Sequence, residues 1–135
     1  MKQNYFDIYN QTLSLVGNYG KNNPELMATF SNFHKAALKD GEINSKNKEL
    51  IALGISIHAK CEGCIATHVH NAIESGASKN EVIETIGVAM LMGGGPSLVH
   101  GAKAFSAWND LMARKELDKS SNISVLNDGG NYNGN

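Results

Sequence analysis

The sequence predicts an all-α protein, and three features of it lead there. Apolar residues recur at three- and four-residue intervals along most of the chain, helix caps and breakers separate these stretches, and no alternating run makes a convincing strand. At 135 residues the chain suits one domain. The expected architecture is a compact bundle of about six helices over residues 1–117, with 118–135 as a flexible polar tail.

The elements follow in order. Tyr5, Phe6, Tyr9, Leu13 and Val16 fit a 3.6-residue period over residues 4–16, and Gly17 and Gly20 then break it. Asn23-Pro24 reads as an N-cap followed by proline at the first helical position, where a missing N–H costs nothing. Leu26, Phe30, Phe33 and Ala37 form one face of the second helix, which Gly41 ends. Ser45 caps a third helix, KNKELIALGISIHA, apolar enough to be central in the core. A bend is expected near Cys61, where Lys60, Glu62 and Gly63 interrupt the apolar stripe. A fourth helix runs from Cys61 or Cys64 to Glu74, closed by Ser75-Gly76. Ser78-Lys79-Asn80-Glu81 is a capping box opening the fifth helix, EVIETIGVAMLM, and Gly93-Gly94-Gly95-Pro96 stops it. That glycine run lacks the Lys-Ser/Thr of a phosphate loop and reads as a tight turn into a sixth helix, residues 97–117. Beyond it the chain is mostly Ser, Asn, Gly and Asp, too polar to offset its ordering entropy by burial.

Composition excludes several functions. Net charge is -1 and the charges are mixed in sign, so no electrostatic footprint for nucleic acid or an anionic membrane appears. No segment reaches the roughly 18 consecutive apolar residues of a membrane span. The opening MKQNYFDIYNQ lacks the apolar run of an export signal, so a cytoplasmic location is expected. The two cysteines stand three apart. In a reducing compartment a permanent bridge is not expected, and one this short closes almost no loop of the unfolded chain. Reactivity or metal binding is the better reason for the pair.

Residues 49–70, ELIALGISIHAKCEGCIATHVH, carry the chemistry. Cys61 and Cys64, at i and i+3 of a helix start, project to one side of its first turn. Unpaired N–H groups there favour a thiolate. His68 follows Cys64 by one turn and can accept the thiol proton and return it. Glu49, on the preceding helix, orients His68 if the two helices pack antiparallel. A zinc site is the competing reading: Cys61, Cys64 and His68 supply three ligands, with Glu49, His58 or His100 needed as the fourth. His34 and His100 belong to no motif, His70 faces away from His68, and Met90, Met92 and Trp108 read as packing residues.

The pattern Glu49, eleven residues, Cys61-Glu62-Gly63-Cys64, three residues, His68 resembles the alkylhydroperoxidase D (AhpD-like) branch of the carboxymuconolactone decarboxylase superfamily. The flanks KELIALGISI and HNAIESGASKNEVIETIGVAMLMGGGPSLVHGAKA are similar too, so the likeness spans roughly residues 41–107. The resemblance implies an all-α fold and a thiol-dependent peroxidase or disulfide oxidoreductase with no metal or organic cofactor. By position, it makes Cys64 the attacking thiol, Cys61 the resolving thiol, His68 the proton acceptor and Glu49 its relay partner. It further implies a hydroperoxide substrate, a dithiol donor (a dihydrolipoyl group or a thioredoxin-like protein), and homo-oligomers, trimeric or hexameric. This chain departs from relatives that carry a histidine between the cysteines, having Gly63 there; a simpler relay is expected, with His58 or His70 as substitutes. Two alternatives stand beside this reading: carboxymuconolactone-type decarboxylation, which does not depend on a CxxC pair, and a non-catalytic metal-binding or assembly module.

Overall fold

The computed structural model describes residues 4–128, with side chains to residue 122. Among these residues the chain forms six α-helices and no strand: α1 (Tyr5–Asn22), α2 (Pro24–Leu38), α3 (Ser45–His58), α4 (Glu62–Glu74), α5 (Lys79–Gly93) and α6 (Gly95–Asp128). The all-α expectation holds. Helices α3, α4, α5 and α6 make the packed body, α1 lies across α4 and α6, and α2 leans on α1 and α3. Leu53, Ile57, Ile65, Val69 and Val82 are fully enclosed at the centre, each burial contributing about 1.5–3 kcal/mol. Ala66, Ala72, Ala104 and Ala107 let the backbones of α4 and α6 approach.

Local chemistry explains most helix ends, and corrects several expectations. The Asn4 side chain accepts the Phe6 N–H and starts α1. The Tyr5 N–H donates to Asp110 Oδ2 at 2.9 Å, tying that start to α6. Tyr5 itself is buried, and this burial, with the Glu62 and Asp110 carboxylates adding to it, pushes its phenol up to about 12. Gly17 and Gly20 do not break α1, which continues to Asn22. A helical glycine costs only about 1 kcal/mol, and a Cβ at Gly20 would stand 2.9 Å from Met27 Cγ, so the missing side chain lets α2 turn back closely.

Pro24 occupies the first turn of α2 as expected, but the Asn23 side chain reaches the Tyr19 hydroxyl instead of capping. The helix ends at Leu38, ahead of Gly41, and none of its residues is buried. Its apolar stripe is therefore not a core face of this chain. Asn44, not Ser45, caps α3, its side chain accepting the Asn47 N–H at 2.8 Å. The Ser78/Glu81 capping box is present as read.

The connection before α6 shrinks to Gly94, whose φ of 66° suits glycine. Helix α6 does not stop at residue 117, and runs through Asp118 to Asp128. Serine and asparagine are only mildly unfavourable in helices, and the Arg114–Asp118 pair and the Ser120 and Ser121 bonds to carbonyls one turn back sit within this stretch. Residues 129–135 of the expected tail lie outside the described residues. No described helix is long and apolar enough to cross a membrane.

Candidate redox site

The site begins with a backbone reversal. Lys60 adopts φ 58°, a left-handed conformation that turns the chain sharply between α3 and α4. The Cys61 N–H then donates to Ser56 O at 3.1 Å, fixing the bend onto the end of α3. Cys61 becomes the N-cap of α4, its carbonyl accepting the Ile65 N–H at 2.8 Å and its sulfur accepting the Cys64 N–H at 3.3 Å. The two sulfurs are bonded as a disulfide, with Cα atoms 5.2 Å apart. Both side chains are half-buried. Glu62, between them, forms an ion pair with Lys103 of α6.

His68 lies one turn beyond Cys64 on α4, and Glu49 reaches it from α3. The His68 Nδ1–H donates to Glu49 Oε2 at 2.7 Å. A carboxylate can only accept, which places the proton on Nδ1 and leaves Nε2 as the ring's working nitrogen. Glu49 is 4 % exposed and His68 18 % at its side chain, so this charge-assisted bond is shielded from water. The four residues singled out from the sequence thus share the α3–α4 layer.

The other histidines scatter. His58 points to the end of α5, near Gly93, where a Cβ would stand 1.8 Å from Ser97 Oγ and 2.9 Å from His58 Nδ1. It also lines an apolar groove of about 610 Å³ between α3 and α5, which takes no wall from Cys61, Cys64, His68 or Glu49. His70 stacks on Tyr9 with ring centres 4.1 Å apart. The His100 Nδ1–H donates to Pro96 O at 3.0 Å. Neither His58 nor His70 is brought to His68. The residue that is brought there is His34 of α2, read from the sequence as ordinary: its ring centre lies 6.5 Å from that of His68, the planes 15° apart. Thr12 of α1 was not singled out either, yet a Cβ at Gly63 would stand 2.8 Å from its Oγ1. No local sequence signal marks either residue; both arrive by packing. Among the described residues no three His, Cys, Asp or Glu side chains are gathered so as to hold a metal ion.

A bundle of helices carrying a vicinal cysteine pair at a helix tip, with a buried carboxylate–histidine pair one turn on, defines a small all-α dithiol protein. The model of the carboxymuconolactone decarboxylase family matches residues 24–107, and the chain belongs to that family. The match begins at the start of α2, earlier than the roughly 41 at which the motif-based likeness begins. A carboxymuconolactone decarboxylase family protein from Legionella pneumophila superposes with a TM-score of 0.77 at 37 % identity, covering 79 % of this chain and 96 % of that one. A family member from Thermotoga maritima, for which involvement in antioxidative response has been suggested, superposes at 0.62 with 28 % identity over 67 % of this chain and 93 % of its own. An uncharacterized protein of Cupriavidus necator is 31 % identical over 97 residues, 72 % of this chain and 86 % of the relative.

Proposed function

We propose that this chain is a dithiol oxidoreductase that reduces organic hydroperoxides, with Cys64 attacking, Cys61 resolving, His68 handling the proton and Glu49 holding His68. The observation that carries this reading is the bridged Cys61–Cys64 pair at the tip of α4, with the shielded Glu49–His68 bond one turn on. The antioxidative role suggested for the Thermotoga relative supports it.

In the oxidising step, Nε2 of His68 takes the Cys64 thiol proton. The thiolate attacks the terminal oxygen of ROOH, the O–O bond breaks, and the alkoxide leaves as ROH with a proton from solvent, to which His68 gives up the one it took. Cys61 then attacks the Cys64 sulfenic acid; the S–S bond forms, and hydroxide leaves with the Cys61 proton as water. The sum is two thiols plus ROOH giving a disulfide, ROH and water. A second dithiol, of dihydrolipoyl or thioredoxin-like type, restores the pair by exchange. The Cys64 N–H on the Cys61 sulfur suits this return, because it stabilises charge on Cys61 as the leaving thiolate. A cytoplasmic location, where dithiols are kept reduced, fits the cycle.

The test is mass spectrometry of the reduced protein before and after sub-stoichiometric cumene hydroperoxide. The expected result is loss of two hydrogens per oxidised chain through a Cys61–Cys64 bridge, with one equivalent of alcohol. Both thiols left free in folded protein would overturn the reading. Turnover of a lactone acid by a Cys61→Ser/Cys64→Ser variant would instead assign the decarboxylase chemistry.

A further inference from the structure

We infer that His34 of α2 is a positioning residue of the proton path, passing protons between solvent and Nε2 of His68. The inference rests on the dithiol reading above and adds a residue to it.

His68 has one nitrogen committed to Glu49 at 2.7 Å, so every proton it gains or loses passes through Nε2. Exchange from the Glu49 side is blocked, because that carboxylate is itself buried. The half-buried ring of His34 lies nearly parallel to that of His68 with centres 6.5 Å apart. Polar groups too far apart to touch can be joined through water. Phe30, one turn earlier on α2, has its ring centre 6.2 Å from that of His34.

The alternatives for a second imidazole are closed by geometry. His70 is stacked on Tyr9, His58 faces the α3–α5 groove, and His100 is bonded to Pro96. A side chain at position 63, between the cysteines, would run into Thr12. An imidazole can accept a proton on one nitrogen and release one from the other, so His34 can relay a proton without keeping it.

The experiment compares wild type, His34→Ala and His34→Phe in single-turnover oxidation of the reduced protein by cumene hydroperoxide, over a series of imidazole concentrations at constant pH and ionic strength. Both variants are expected to slow about tenfold, the low end of the effect of general acid–base groups. The wild-type rate should ignore added imidazole, while His34→Ala should recover toward it. Wild-type rates in His34→Phe, which keeps a ring but no nitrogen, would overturn the inference. So would a slow His34→Ala that imidazole does not help, with circular dichroism showing an intact fold. The same comparison with an aromatic disulfide reagent uses the same thiols without peroxide. If wild type ignores peroxide but the variants still show the slow, imidazole-rescued exchange, the peroxidase reading falls and the role of His34 stands.

Discussion

Cys61 holds two roles at once: it caps α4 through its sulfur and carbonyl, and it is half of the dithiol. Placing a sulfur at a helix N-cap sets it among unpaired N–H groups, the setting that favours thiolate over thiol. The neighbouring Glu62 carboxylate opposes that effect, and Lys103 stands against it as counter-charge. Gly63 follows from contact more than from conformation, since Thr12 takes the space of its side chain. Glu49 is the residue on which the His68 proton depends most. A hydrogen bond to a charged group contributes roughly 1.5–3 kcal/mol, so Glu49→Gln should slow iodoacetamide alkylation of Cys64 near neutral pH by roughly 10- to 100-fold. Equal alkylation rates in variant and wild type across the pH range would show that the carboxylate only fills space.

Among the elements, α5 is the one whose start is most fully specified by its own residues. Ser78 accepts the Glu81 N–H, Glu81 accepts the Ser78 N–H, and Lys46 of α3 pairs with the second carboxylate oxygen at 2.9 Å. The Lys46 hydrogen bond first, and the Ser78 N–H next, hold the Glu81 carboxyl below its ordinary value of 4.5. A carboxyl lowered by folding contributes stability above that ordinary value and loses it as pH falls through the folded one. Thermal midpoints by circular dichroism should therefore decline on acidification below 4.5, and less steeply in Glu81→Gln. Identical slopes in the two proteins would remove Glu81 from the acid response. Helix α2 is the opposite case: it enters the structure through Pro24 and a close crossing at Gly20, yet none of its residues is fully buried within the chain.

The whole molecule carries more apolar surface than one chain covers. On α2, Leu26, Phe30 and Phe33 are exposed, Phe33 by 68 %. On α3 and α5, Ile51, Ile55, Val88 and Leu91 are exposed, Leu91 by 82 %. Ile51, Ile55 and Val88 line one groove, and apolar side chains exposed together in this way mark contact surfaces. Association of copies, as trimers or hexamers, is proposed on that ground, with closed symmetry satisfying each face. Light scattering after size exclusion should give a multiple of 14.5 kDa, reduced by Phe33→Glu or Val88→Glu. A monomer at micromolar concentration would count against assembly.

The sequence alone determined the helical class, the capping box of α5, the proline entry to α2 and the Cys61, Cys64 and His68 spacing along α4. Each depends on residues within a turn or two of one another, where periodicity and capping act. Glycine breaks and polar composition misled at α1 and α6, because a helix tolerates single weak residues when its neighbours hold it. Only tertiary structure decided that Glu49 bonds His68, that Thr12 sits against Gly63, that His34 rather than His58 or His70 faces His68, and that the α2 stripe stays uncovered. Those relations join residues on different helices, and the angle and depth at which helices pack are set by the whole core rather than by any local run.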